Sequence, residues 1–161
     1  MAKRNNAKRH NEMDQPADAI AMLKADHQKV RNLFQEYEAA SDPRAKREIA
    51  EEACVQLEMH AQLEENVFYP AVNEETDEGP ELVKESLEEH QTMKDLIQAL
   101  RDMGPDNKAF DTKFKELIRN VEHHVEEEER EMFPLAEEEL EEDMEDLLEE
   151  MQELKEQLLT S

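Results

Sequence analysis

The stretch HAQLEENVFYP at residues 60–70 recurs 64 positions later as HVEEEEREMFP at residues 124–134. In both copies a glutamate follows the first histidine by four positions, so the two side chains lie on one face of a helix. Apolar residues surround each pair at helical spacing. The repeat therefore predicts two equivalent helices, each of which turns a histidine and a carboxylate toward the interior. The two pairs are His60 with Glu64 and His124 with Glu128.

Two further histidines extend this pattern. His27 and His90 occupy the apolar stripes of two additional predicted helices, each of which precedes one copy of the repeat. Around His27 the stripe runs from Ile20 to Tyr37 at intervals of three and four residues, as in a helix of a bundle. Breaks that contain proline or glycine separate the helices, and Pro134 is expected to end or kink the fourth. The sequence predicts an all-α, up-down-up-down four-helix bundle.

The composition supports an all-α chain and excludes several classes of protein. Only two of the 161 residues are glycine, which leaves few positions for the tight turns of a multi-stranded sheet. The formal net charge of −25 argues against a nucleic-acid partner, because phosphate contacts need lysine and arginine. A single cysteine excludes an intrachain disulfide framework and a cysteine-based metal site. No apolar run approaches bilayer length and no secretory signal is visible, so we expect no membrane partner and a cytoplasmic location.

The chain divides into three predicted segments. Residues 1–15 carry four basic and two acidic residues without helical period, and they are predicted to form a disordered basic tail. Residues 16–134 hold the bundle. Residues 135–161 carry twelve acidic residues and one lysine, and their apolar stripe predicts an additional acidic C-terminal helix packed on the bundle or on a second subunit. We therefore expect a monomer or a weak homodimer formed through this helix.

The polar residues on the four stripes are predicted to meet at one level of the bundle. In an antiparallel pair of helices, two residues are level when they lie equally far from the turn. The midpoints between successive stripe histidines are residues 43.5, 75 and 107, and each midpoint falls in or beside a predicted turn. The two glutamates lie one turn away, about 6 Å along the helix. Imidazole and carboxylate groups in this arrangement suit a two-metal centre of iron, zinc, manganese or copper.

The residues around these positions resemble the hemerythrin-like, HHE cation-binding family. The resemblance is carried in order by Asp26-His27, residues 60–70, Glu89-His90 and residues 123–134, and it covers about residues 17–134. It implies a bundle around a non-haem centre of two iron ions with an oxo or hydroxo bridge, with zinc or manganese as alternative metals. By position, the implied metal ligands are His27, His60, Glu64, His90, His124 and Glu128.

One ligand of the oxygen-carrying hemerythrins has no counterpart in this chain. In the oxygen-carrying members that this sequence resembles, a second histidine follows the one on the third helix by four residues. This sequence has Lys94 at that position. We expect Lys94 to reach solvent or a nearby carboxylate. Tyr37 lies on the stripe of the first predicted helix and is expected to be a plain core aromatic, with a phenolate ligand at the open position as the alternative. Glu65 and Glu129 are expected to be solvated, with a hydrogen bond to a ligand histidine as the alternative.

The sequence leaves several functions open. The missing histidine weakens reversible oxygen carriage and favours a di-iron protein that handles O2, peroxide or NO as a sensor or scavenger. A catalase-like enzyme that breaks down peroxide is a second hypothesis, because an open coordination position is what metal catalysis needs. Iron storage or delivery, or an acidic helical interaction module that docks through the C-terminal helix, is the remaining alternative.

Overall fold

The computed structural model describes residues 16–104 and 106–160, and these residues form helices with short connections and no strand. The predicted tail at residues 1–15 lies outside the described residues. The α-helices are α1 (Ala19–Ala39), α2 (Pro43–Leu63), α3 (Tyr69–Glu75), α4 (Gly79–Asp102), α5 (Ala109–Glu127), α6 (Phe133–Glu139) and α7 (Met144–Thr160). Two π-helical turns, π1 (Glu64–Phe68) and π2 (Glu128–Met132), join α2 to α3 and α5 to α6, and a 3-10 turn (Glu141–Asp143) precedes α7.

Local chemistry explains where the bundle helices begin. The carboxylate of Asp18 accepts a hydrogen bond from the Ala21 amide at 2.9 Å and caps α1. Pro43 occupies the first turn of α2, where its missing amide hydrogen costs nothing. At the start of α4, a Cβ on Gly79 would lie 2.1 Å from the Val72 carbonyl oxygen. Glycine at residue 79 therefore permits the close approach that folds α4 back against α3.

Both copies of the sequence repeat contain one widened helical turn. The amide of Tyr69 donates to the carbonyl of Glu64, and the amide of Phe133 donates to that of Glu128, five residues back in each case. A proline follows directly in both copies, and its ring crowds the carbonyl four residues earlier. A π turn accommodates this crowding. The helix consequently continues through Pro134 instead of ending there.

Two apolar clusters fill the interior on either side of the level that holds the predicted ligands. One is built around Phe34, Tyr37 and Phe114, and it extends as far as Val30 on α1. The other is built around Phe68 and Phe133 and includes residues of α1 and α7. His27 lies between Leu23 of the second cluster and Val30 of the first. The core is therefore apolar at both ends, with a polar layer between them.

The C-terminal helix α7 packs on the bundle. Met144, Leu147 and Met151 are buried in the second apolar cluster, together with Met22 of α1 and Leu63 of α2. The acidic residues of α7 lie mainly on its exposed face. The structure thus has the four-helix bundle and the additional C-terminal helix that the sequence predicted. None of its described helices has the length and apolarity needed to cross a membrane.

Candidate metal centre

All six predicted ligands are buried in the polar layer. Their exposed fractions range from 0 to 7%. The rings of His27 and His60 lie 4.8 Å apart between centroids, and the rings of His90 and His124 are separated by the same distance. The shared level expected from the turn midpoints is therefore present in the fold. The histidines lie on α1, α2, α4 and α5 and the glutamates on the π turns π1 and π2; the residues are His27, His60, Glu64, His90, His124 and Glu128.

The six side chains form two adjoining groups of potential metal ligands. The first group comprises His27, His60, Glu64 and Glu128, and the second comprises Glu64, His90 and His124, with the ligand atoms of each group within 4.8 Å of one another. Glu64 belongs to both groups, since its Oε1 lies 3.3 Å from His60 Nε2 and 3.1 Å from His90 Nε2. Glu128 also spans them, 3.1 Å from His27 Nε2 and 3.3 Å from His124 Nε2. Each carboxylate therefore contacts histidines of both groups.

Four buried polar atoms in the first group have no hydrogen-bond partner. A buried polar atom without a partner is costly unless something else satisfies it. Although His27 Nε2 lies 3.1 Å from Glu128 Oε1, the two atoms are not aligned for a hydrogen bond. One atom comes from each residue of the group, so the donor set fits a cation. The four atoms are His27 Nε2, His60 Nε2, Glu64 Oε2 and Glu128 Oε1.

A tyrosine hydroxyl lies at the second group. Tyr69 Oη is within 3.3 Å of Nε2 of both His90 and His124, and its one hydrogen can be donated to Glu128 Oε2 at 2.5 Å or to Glu64 Oε1 at 3.2 Å. Burial and the two carboxylates raise the pKa of Tyr69 well above its ordinary value. Without a cation the hydroxyl therefore stays protonated, and beside a cation its oxygen is a further potential ligand.

Tyr37 is a core aromatic, as expected, and the tyrosine beside the predicted ligands is Tyr69, which was not expected there. Tyr37 stacks on Phe114 and donates a hydrogen bond to Asp111, away from the polar layer. Tyr69 was missed because it follows Glu64 by five positions, which in an α-helix turns a side chain about 140° away. The π turn between them brings Tyr69 to the interior face. The equivalent residue in the other copy of the repeat is Phe133, which stacks on His27 at 5.6 Å.

Every ligand histidine is oriented by a carboxylate from another helical segment. Hydrogen bonds of 2.7 to 3.0 Å join the four Nδ1 atoms to these carboxylates. Such a bond places the proton on Nδ1 and leaves the Nε2 lone pair facing the interior, as a metal ligand requires. Each carboxylate is the sequence neighbour of a different ligand. The pairs are His27 with Glu129, His60 with Asp26, His90 with Glu65 and His124 with Glu89.

These hydrogen bonds correct one expectation and confirm another. Glu65 and Glu129 were expected to be solvated, but both are only partly exposed and bind ligand histidines. The sequence also assigned no such role to Asp26 or Glu89. The signal was available, since all four carboxylates stand directly beside a predicted ligand in the sequence. Lys94 reaches a carboxylate as expected, with its Nζ 2.9 Å from Glu65 Oε1.

The histidines of the metal-free protein hold protons strongly. Burial opposes the charged form, but Glu64 and Asp26 outweigh it and raise the pKa of His60 to about 10. The pKa of His124 rises well above its ordinary value for the same reason, since burial is outweighed by Glu128, Glu64 and Glu89. The pKa of Glu64 falls well below its ordinary value despite its burial, because of His60 and its hydrogen bonds. Charged imidazolium groups thus balance the carboxylates until a cation replaces their protons.

This balance gives the metal-free protein a definite pH dependence. Its folded-state histidine pKa values lie above the unfolded value of 6.5, so their stabilisation is complete below that pH and is lost as the pH rises toward about 10. We expect the urea midpoint of metal-free protein to fall between about pH 6.5 and about pH 9.5. The fall should be smaller in His60→Gln. A midpoint that rises over this interval would contradict the paired charges.

A small cavity adjoins the polar layer on the side away from Tyr69. The volume of the cavity is about 20 Å³, which is enough for one or two water molecules. Asn120 also lines it, and the buried Oδ1 of this residue has no hydrogen-bond partner. The histidines lie at one boundary of the cavity. Its apolar lining comes from Val30, Leu57, Ala61, Met93, Val121 and Val125.

A family model described as the hemerythrin HHE cation-binding domain matches residues 18–136. The chain belongs to this family. A hemerythrin HHE cation-binding domain-containing protein from Mycobacterium kansasii has a similar crystal structure, with a TM-score of 0.76 at 23% sequence identity. That match covers 88% of this chain and 86% of the other. At this identity the likeness concerns the fold alone, and it extends the hemerythrin-like architecture over most of the chain.

Two curated proteins are also similar to this hemerythrin HHE domain. A protein named DNA nickase, from Nostoc sp., is 31% identical over 112 residues, which are 70% of this chain and 31% of that protein. An uncharacterized hemerythrin-like protein from Schizosaccharomyces pombe is 27% identical over 119 residues, which are 73% of this chain and 59% of that protein. The chain therefore spans about a third of the first relative and less than two thirds of the second.

Proposed function

We propose that this chain is a di-iron protein that binds O2, peroxide or NO in its bundle core, for sensing, scavenging or peroxide breakdown. The observation that carries the proposal is the set of four buried polar atoms without partners in the first ligand group. They come from two imidazoles and two carboxylates at one point of the core, and none of them has a hydrogen-bond partner among the described residues. A cation is the ligand that this donor set suits.

Two ions, one in each group, account for the arrangement better than one. Glu64 and Glu128 each contact histidines of both groups, and a carboxylate has two oxygens with which to bridge neighbouring ions. The first ion would be held by His27 and His60, and the second by His90 and His124 with Tyr69 beside them. The family resemblance favours iron, and so do the donor atoms, which are imidazole nitrogens and carboxylate and phenol oxygens. Zinc and manganese are the alternatives. Iron would supply the one-electron redox chemistry that O2, peroxide and NO require.

The surroundings of the centre favour a small ligand. The adjoining cavity has room for one or two water-sized molecules, so it admits a diatomic molecule or peroxide and excludes an organic substrate of ordinary size. Aliphatic side chains form much of its wall, and Asn120, Asp26 and Glu89 add polar groups beside the histidines. The chain's own residues would thus bind the ligand in a largely apolar space beside the histidines.

Lys94 supports a role other than bulk oxygen carriage. The family's oxygen carriers have a histidine at this position, whereas Lys94 points to Glu65 and is partly exposed. By pairing with Glu65, Lys94 helps to orient the carboxylate that holds His90 Nδ1. The chain thus has one histidine fewer around the second group, and we propose that this leaves a position for peroxide or a diatomic ligand.

The function of the first relative is not extended to this chain. The aligned residues amount to 31% of the protein named DNA nickase, so the name can describe parts that have no counterpart here. The net charge of −25 also disfavours binding to a phosphate backbone. We propose small molecules, not nucleic acid, as the partners of this centre.

The proposal is tested by following small-molecule chemistry in the iron-loaded protein. We expect near-ultraviolet absorption from an iron centre that changes on addition of peroxide or NO, with loss of both signals in His90→Ala. Gln91→Ala is the matched control, because its exposed side chain contacts Asp95 on the surface. Absorption or peroxide turnover that persists in His90→Ala would show that this centre is not responsible.

A further inference from the structure

The four carboxylates that orient the histidines differ in the basic side chains near them. Three of them have a basic side chain within 4.0 Å. Lys94 approaches Glu65 at 2.9 Å, Arg31 approaches Glu129 at 4.0 Å, and Lys155 approaches Asp26 at 3.9 Å. Among the described residues, the fourth carboxylate, Glu89, has no lysine or arginine at this distance.

The outer oxygen of Glu89 instead faces a histidine and a second carboxylate. Its Oε2 lies 3.6 Å from Nε2 of His123, and that nitrogen lies 3.2 Å from Oε1 of Glu127. His123 and Glu127 are four residues apart on α5, so they share one face of that helix, opposite Glu89 on α4. The three ligand atoms lie within 4.8 Å of one another. They form a cluster at the surface, where the His123 side chain is 66% exposed.

The cluster concentrates negative charge that the described chain does not neutralise with a fixed cation. The carboxylates of Glu89 and Glu127 both face the imidazole of His123, at 3.6 and 3.2 Å. Two carboxylates without a lysine or arginine between them favour a shared cation.

The internal repeat shows that this cluster is specific to one half of the bundle. Glu89 corresponds to Asp26 in the other half, whose outer oxygen faces Lys155 from α7. His123 and Glu127 correspond to Met59 and Leu63, which carry no ligand groups for hard cations. In the half that contains Asp26, Lys155 of α7 therefore covers the outer oxygen of the carboxylate. In the half that contains Glu89, three ligand groups lie together at the surface.

We propose that Glu89, His123 and Glu127 form a surface site for one divalent cation, such as Zn²⁺ or Fe²⁺, through which the buried centre is loaded. One imidazole and two carboxylates suit these borderline cations, and water can fill the remaining positions. Glu89 links the two sites directly, because its Oε1 accepts the hydrogen bond from Nδ1 of His124 while its Oε2 faces His123. A cation bound at the surface would lie one carboxylate away from a ligand of the buried centre.

Zinc binding to the full-length, iron-loaded protein tests the surface site. Equilibrium dialysis against Zn²⁺ should show about one extra ion per chain, with the iron content of the same sample unchanged. Glu127→Gln and His123→Ala should each weaken this binding at least about tenfold, since each removes one of three ligands. Glu126→Gln is the matched control, because Glu126 pairs with Arg130 on the exposed side of α5. Equal zinc affinity in all four proteins would overturn the site.

The loading role rests on the proposed function and has its own measurement. When Fe²⁺ is added to metal-free protein, His123→Ala should take up iron several-fold more slowly than wild type but reach the same final content. Equal rates would overturn the loading role.

The surface site and the proposed function can fail independently of each other. Zinc binding that depends on His123 in a chain without buried metal would retain the surface site alone, and a filled centre with His123-independent zinc binding would retain the proposed function alone.

Discussion

Replacing Glu64 with alanine is expected to lower the iron content of the purified protein from one ion per ligand group to well below one ion per chain. Glu64 is the residue that belongs to both groups, with contacts to His60 in the first and His90 in the second. Its loss removes one bridging carboxylate and also leaves buried imidazolium charge without its partner. The effect should therefore exceed that of losing any ligand that serves a single group.

Metal analysis of Glu64→Ala and of a matched surface variant checks this expectation. Glu74→Ala removes an exposed carboxylate from the same helical hairpin and should retain the wild-type iron content. Circular dichroism distinguishes loss of metal from loss of fold, and we expect the helical signal to persist because neither apolar cluster includes Glu64. Iron at the wild-type level in folded Glu64→Ala would contradict the assignment of both groups.

The second large effect is expected for Phe133→Ala, which should reduce the free energy of unfolding by about 3–5 kcal/mol. Phe133 is fully buried, stacks on His27 at 5.6 Å and meets Phe68 edge-on at the same distance. The cavity left by its ring removes packing from the second apolar cluster and from one face of a ligand histidine. A loss of this size is a large share of the 5–15 kcal/mol typical of a folded domain.

Urea unfolding and iron analysis separate the two consequences of Phe133→Ala. Phe114→Ala is the control, because Phe114 is equally buried but stacks on Tyr37 in the first apolar cluster. Both variants should lose similar stability, and Phe133→Ala alone should also bind iron more weakly, since His27 loses its stacking partner. A drop below about 1 kcal/mol in Phe133→Ala would contradict the packing described for the second cluster.

The bundle and the level of the ligand histidines were predictable from local pattern. Apolar spacing identifies helices because only one face of each is buried, and the positions of the turns determine which residues of antiparallel neighbours are level. His27 and His60 illustrate this, since equal distances from one turn place their rings 4.8 Å apart. The assignment of these residues as metal ligands remains a prediction for the metal analysis above.

The carboxylates around the histidines were harder to predict. Glu129 stands beside Glu128 in the sequence and lies about 100° around the helix from it. Whether such a side chain faces solvent or a neighbouring helix depends on how the helices pack. In the folded chain it contacts His27 on α1 at 2.7 Å. Helical periodicity contains no information on this contact, because the two residues are 102 positions apart.

Spacing along one chain was enough to predict the helices, their order and the buried polar layer. It did not identify the tyrosine that joins that layer, because this depends on how the helix turns in three dimensions. Helical periodicity places Tyr37 on the core stripe, where it packs on Phe114, whereas the π turn that precedes Pro70 rotates Tyr69 into contact with the predicted ligands. The structure also decided that Glu89 faces His123 while Asp26 faces Lys155. In the first case a π turn changes the direction in which a side chain points, and in the second a neighbouring helix supplies a different partner. Regular helical spacing predicts neither change.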